Sequence, residues 1–335
     1  MSRLRFLSME AISKVAEVTY SGPGWDNYDN DLSVAENIHL IYRDSYPDWI
    51  DVYKPLEMKS FKGILCPVSI RYNEMAPDYE TRNRDIKKIL REIRHTRANL
   101  IICHHLNDMH EWSKRLCHRI EPRFQLANIP HCAEKTIFKD YGLPKKWHLL
   151  LIGSQGPRYP LRERFRKILQ RMSAKWRCHV WKHPGYKLTD TYTNRHLIEF
   201  AKAINSAKIC CSCSGRPRSR YSKYAEVPMC GTAFAADLPD ENHEFFEQFL
   251  IVVDMSMSDE EIIRKLEYYL THDEKREKLV KKGLELSQDY TFEKYAERFL
   301  NLAKDFLKSY EKANSSNRYA WGLNRIFAFH KKLDH

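Results

Sequence analysis

The chain has 335 residues, more than one hydrophobic core usually serves, so two domains are expected. With 43% hydrophobic and 12% aromatic residues it can fill such cores, yet it holds no apolar run of about 18 residues that would mark a membrane span. The net charge of +12 calls for an anionic partner without naming it, since nucleotide sugar, nucleic acid and acidic membrane all qualify.

Met1–Leu7 is too short and too basic for a signal peptide, which points to a cytoplasmic protein. The nine cysteines are odd in number and sit in apolar runs such as Ile209-Cys210-Cys211, the pattern of reduced, packed thiols. Cys210 and Cys213 have C-x-x-C spacing, but no second pair completes a zinc site.

In chain order, residues 3–15 read as a helix and Ala16–Tyr20 as a strand stopped by Gly22-Pro23-Gly24. Leu32–Tyr42 is expected as a helix, Pro47–Tyr53 leads into a strand, and Gly63–Ile70 is a buried strand. Thr81–Arg97 is an amphipathic helix with a narrow stripe of Ile86, Ile89, Leu90 and Ile93. Docking on a sheet explains that stripe better than anionic lipid, so peripheral membrane contact stands as the secondary reading. Asn99–Cys103 is a strand ended by His104 and His105, Asp108–His118 a helix, and Arg123–Ile129 a further strand. Phe138–Trp147, broken by Gly142 and Pro144, reads as the connection between domains. Beyond it, strands are expected at Leu149–Ile152, Cys178–Trp181, Lys208–Cys213, Thr232–Ala236 and Leu250–Val253, with helices between them. After Ser258 the chain reads as helical almost to its end.

The most informative stretch is Ser212–Asp237. A buried strand is followed by a loop of small and basic residues, a helix from about Ser219 to Cys230, Gly231 and a second strand. In a βαβ unit of this kind ligands sit beyond the carboxyl ends of the strands. Arg216, Arg218, Arg220 and Lys223 stand there beside a helix N-terminus, a combination suited to a phosphate or diphosphate. Glu226 lies within the cluster, and a carboxylate can accept two hydrogen bonds side by side from a ribose. Gly153-Ser154-Gln155-Gly156 lacks the glycines of a dinucleotide fingerprint, but such a turn lets backbone N–H groups approach a phosphate.

KYAEVPMCGTAFAAD, with LLLIGSQGPRYPLRERF before it and the Glu260–Phe299 segment after it, resembles GT-B glycosyltransferases. The likeness is greatest to the spore-maturation-protein-like (group 1) branch and runs from about residue 148 to 300. It implies two Rossmann-like parallel-sheet domains facing a cleft, with the first trimmed at its N-terminus and a helical C-terminal tail. The implied boundaries are 1–145 for an acceptor-side domain, 146–312 for a nucleotide-sugar domain, and 313–335 for a helix returning to the first. The implied activity is transfer of a sugar from a nucleotide-diphosphate sugar to a glycan, lipid or protein, as a hexosyl- or pentosyltransferase.

The resemblance adds Arg162, Lys182 and His183 to the donor-binding set of Gly153, Ser154, Arg216, Arg218, Arg220, Lys223 and Glu226. His104, His105 and Glu74 are candidate catalytic bases, with Asp78 a further choice, and spacing does not rank them. The second Glu that large retaining GT-B families carry eight positions before the ribose-binding one is here Arg218, which leaves the stereochemical outcome open. No cofactor or metal is expected beyond the donor as co-substrate, because Asp29-Asn30-Asp31 reads as turn chemistry rather than a D-x-D motif. A nucleic-acid binder and an inactive nucleotide-binding relative are the alternatives. The first is disfavoured because the arginines gather at one strand-to-helix loop instead of along an exposed stripe.

Overall fold

A computed structural model describes residues 3–21, 38–44, 68–72, 93, 98–109, 125–183, 194–314 and 325–329. These residues form two compact units, one within Arg5–Pro130 and Tyr295–His335, the other within His131–Lys294. The division at residues 130 and 131 precedes the Phe138–Trp147 connection expected from sequence, so that segment belongs to the second unit.

The first unit opens with helix α1 (Arg3–Ser13) and strands β1 (Val18–Ser21), β2 (Ile38–Asp44), β3 (Val68–Tyr72), β4 (Leu100–Cys103) and β5 (Gln125–Asn128). All pair in parallel, in the order β1, a C-terminal strand Arg325–Phe329, β2, β3, β4, β5. Two sequence expectations fail here. Ile38–Asp44 is a strand where a helix is expected, and Arg325–Phe329 is a strand where the closing helix is expected. Both segments, IHLIYRD and RIFAF, are rich in β-branched and aromatic residues, and each supplies the other with a partner edge. Glu74, Asp78, the Pro47–Tyr53 strand and most of the Thr81–Arg97 helix lie outside the described residues. Of that helix, Ile93 is described, helical and buried.

The second unit places β6 (Trp147–Leu151), α2 (Pro160–Met172), β7 (Cys178–Val180), α3 (Arg195–Asn205), β8 (Ala207–Cys211), α4 (Lys223–Met229), β9 (Ala233–Ala236), α5 (His243–Glu247) and β10 (Leu250–Val252) in alternation. Its parallel sheet runs β10-β9-β8-β6-β7. Strand β9 is buried throughout, β8 at all but Lys208 and β6 from Leu149 onward, as their continuous apolar runs require. On α2, Leu161, Phe165, Ile168, Leu169 and Met172 form the helical stripe that packs against the sheet. Helices α6 (Asp259–Thr271) and α7 (Asp273–Ser287) follow, α6 opened by a reciprocal cap between Ser258 and Glu261. Helix α8 (Phe292–Asn314) then leaves this unit for the first, where Tyr295 and Phe299 pack on Tyr42 of β2. The helix that returns to the first sheet is therefore α8. Among the described residues no helix is long and apolar enough to cross a membrane.

Candidate functional site

Strands β6 and β8 are neighbours, and the chain goes on from β6 to β7 on one side and from β8 to β9 on the other, so the crossovers after these two strands run in opposite directions. At such a switch point the loops beyond the strand ends part and open a crevice for a ligand. The loop after β6 is bent by Gly153 and Gly156, at φ +96° and +123°. Gly156 N–H donates to Glu163 Oε1 at 2.7 Å, which binds the loop to the first turn of α2. The loop after β8 is folded by Arg216 N–H on the Arg158 carbonyl at 2.9 Å and Ser219 N–H on the Ser214 carbonyl at 3.1 Å.

Arg162 joins the two loops. Its Nη1 donates to the Ser154 carbonyl at 3.1 Å and its Nη2 to the Cys213 carbonyl at 3.0 Å. The guanidinium lies 4.0 Å from the centre of the Tyr159 ring and against the α-carbon of Gly153, where a β-carbon would stand 2.7 Å from Nη1. Arg162 is thus a buried strut beneath the crevice. Beneath the second loop, buried Asp237 accepts from the backbone N–H of Ser214 at 2.7 Å and from its hydroxyl, while Tyr224 donates to the Asp237 carbonyl at 2.7 Å. Burial raises the Asp237 carboxyl above its usual range. The bracing role of Asp237 exists only once Ser214 and Tyr224 are brought against it.

Lys223 and Glu226, one turn apart at the start of α4, form an ion pair through Glu226 Oε2. Glu226 is 1% exposed, and its Oε1 has no hydrogen-bond partner. An unpaired buried carboxylate oxygen costs about 1–3 kcal/mol, which a hydroxyl donor from a ligand would recover. His183, half-buried after β7, has its pKa held low by burial, then by the charges of Lys223 and Arg162. This histidine, Lys223, Glu226 and the two loops form the one cluster of expected site residues that the described residues bring together. Lys182 beside it is exposed.

The low His183 pKa carries a stability consequence. As pH falls below roughly 6.5 the unfolded chain takes up a proton that the folded one refuses, so stability declines. His183→Gln should flatten that part of the pH profile between the ordinary and the lowered pKa, as read by thermal melts across the range.

The other cations do not converge. Arg218, at φ +50°, is paired with Asp240 and donates to the Leu238 carbonyl at 3.0 Å. Arg220 is buried against Glu241, and Arg216 is exposed. The helix is also shorter than expected, seven residues from Lys223, and the N–H groups of Tyr224, Ala225 and Glu226 are spent on Tyr221 and Ser222 carbonyls. The expected helix N-terminal anion site is therefore corrected: any anion contact rests on loop and side chain. In the first unit, His104 and His105 are both buried at the end of β4. His104 Nδ1 lies 2.7 Å from the Ile129 carbonyl, an acceptor only, so Nδ1 carries the proton and Nε2 is the basic nitrogen. Among the described residues no three His, Cys, Asp or Glu side chains gather as a metal site would require.

A family model described as glycosyl transferase-like matches residues 162–301, which hold most of this site. No curated protein sequence matches the chain. Among solved structures, HepE of Anabaena in complex with UDP and glucose aligns with a TM-score of 0.57 at 9% identity, over 82% of this chain and 80% of its own. A UDP-forming trehalose-phosphate synthase of Burkholderia vietnamiensis aligns at 0.57 and 11%, over 94% and 78%. The pneumococcal O-GlcNAc transferase GtfA, in complex with UDP and GlcNAc, aligns at 0.53 and 8% over 82% of this chain, which spans only 59% of GtfA. These identities speak to fold alone. With its two parallel-sheet units the chain has the fold of the GT-B glycosyltransferases, and residues 162–301 within it are similar to a glycosyl transferase-like domain.

Proposed function

We propose that the protein transfers a sugar from a nucleotide-diphosphate donor, held by the second unit, to a glycan, lipid or protein acceptor. The observation that carries this reading is Glu226: a buried carboxylate with one oxygen unpartnered, beside Lys223, at the switch point of a parallel sheet. A ribose hydroxyl meets the need of that oxygen. Lys223 and exposed Arg216 offer positive charge to a diphosphate, and Gly153 with Ser154 offers close backbone approach. As the sugar departs, negative charge grows on the leaving diphosphate, and fixed cations lower that barrier. UDP is the first donor nucleotide to test, because structures of similar fold hold it. The acceptor base is sought among His104, His105 and Glu74.

Calorimetry with uridine, UMP, UDP and UDP-glucose at two salt concentrations tests this reading. Affinity should rise from uridine to UDP as charged contacts are added. Steeply salt-dependent binding of a single-stranded oligonucleotide, with no preference for the diphosphate, would instead identify a nucleic-acid binder. Transfer or donor hydrolysis should continue in chelator, since Lys223 and Arg216 supply the charge a metal would. Activity lost in EDTA and restored by magnesium or manganese would overturn the metal-independent mechanism.

A further inference from the structure

Arg220 turns away from the candidate site, and its surroundings do not suit a phosphate ligand. It is 1% exposed, and its Nε pairs with Glu241 at 3.0 Å. Burying a guanidinium is costly in desolvation and gains nothing for steering an anion, so its use has to be sought in what it touches. It touches both points where the chain enters and leaves the second unit. Nη2 donates to the carbonyl of His131 at 2.8 Å, and the guanidinium lies 4.3 Å from the centre of the Tyr290 ring. These two crossings are themselves hydrogen-bonded in parallel: Ala133 N–H donates to the Tyr290 carbonyl at 2.8 Å, and Phe292 N–H to the Ala133 carbonyl at 3.2 Å.

The main chain on either side of Arg220 belongs to the site. Ser219 N–H is held by the Ser214 carbonyl, the Tyr221 ring lies edge-on to that of Tyr159, and Lys223 pairs with Glu226. One short stretch therefore presents alternate residues to the ligand loop and to the paired crossings.

We infer that Arg220 is a positioning residue that couples occupancy of the nucleotide loop to the two crossings between the units. The inference rests on the nucleotide reading of that loop. A planar, buried fork with its hydrogen-bond directions fixed cannot absorb a shift of its own backbone as a flexible lysine would. A ligand that binds better to the loop with Arg220 seated thereby favours the state in which Ala133 and Thr291 are bridged. A brace with no such role would hold the crossings equally with and without ligand.

Hydrogen exchange followed by mass spectrometry on the full chain separates these, with UDP as the probe at a concentration shown by titration to saturate each variant. In the parent chain UDP should slow exchange in the 212–222 loop and, by about tenfold, at the Ala133 and Phe292 amides. In Arg220→Met the loop should still be slowed by UDP and the crossings should not. Arg220→Lys, which keeps the charge beside Glu241 but loses the fork, should behave as Arg220→Met does, and it replaces that variant should the latter fail to fold. Crossings slowed equally in the variants, or not slowed in the parent while the loop is, would overturn the coupling. Absence of any UDP effect on the loop would overturn the nucleotide reading itself, and the loop peptides report that separately.

Discussion

Glu226→Ala is expected to weaken UDP binding by about 1.5–3 kcal/mol, the worth of hydrogen bonds to a charged group. Its melting temperature should fall little, or rise. The two readouts diverge because the carboxylate serves the folded protein poorly: Oε2 is paired with Lys223, but Oε1 is buried without a partner. Removing the group abolishes that desolvation penalty, and Lys223, partly exposed, turns to solvent. A site that keeps a strained or unsatisfied group for its ligand gains stability when the group goes and loses function. Calorimetry with UDP and a thermal melt on the same preparation check both halves. Unchanged affinity would remove Glu226 from the site, and a large loss of stability with unchanged affinity would make it a structural residue.

Gly153→Ala should have the larger effect on folding. At φ +96° the backbone lies where an L-residue is strained, a cost on the order of 1–3 kcal/mol. The new β-carbon would stand 2.7 Å from Arg162 Nη1 and 2.8 Å from its Cζ. Arg162 cannot simply swing aside, because it donates to the Ser154 and Cys213 carbonyls and lies over the Tyr159 ring. Displacing it loosens the loops after β6 and β8 together, so the total loss should reach about 3–5 kcal/mol. For a unit of this size that lowers the melting transition by roughly 10 °C or more. UDP affinity should fall in the same variant, since both loops border the crevice. A melt within a degree or two of the parent would show that Arg162 relaxes freely and does not hold the loops.

The sequence by itself determined the second unit. Its central strands are largely buried, so AKICC, LLLI and TAFAA read as continuous apolar runs that local periodicity identifies. His183, Lys223 and Glu226 come together as neighbours for a related reason, since each stands in a short segment at a strand end or helix start, whereas Arg162, expected at the donor, is a buried strut between two loops. Tertiary structure decided what depended on distant partners. Ile38–Asp44 and Arg325–Phe329 lie almost three hundred residues apart, and each becomes a strand because the other completes its hydrogen-bond ladder. The four cations between residues 216 and 223 look alike in sequence. Asp240, Asp254 and Glu241, brought from the loops after β9 and β10, draw Arg218 and Arg220 away, while Lys223 meets Glu226 one helical turn on. A charge pair one turn apart is written in the local sequence, whereas a pair between strand-end loops exists only once the sheet has ordered its strands.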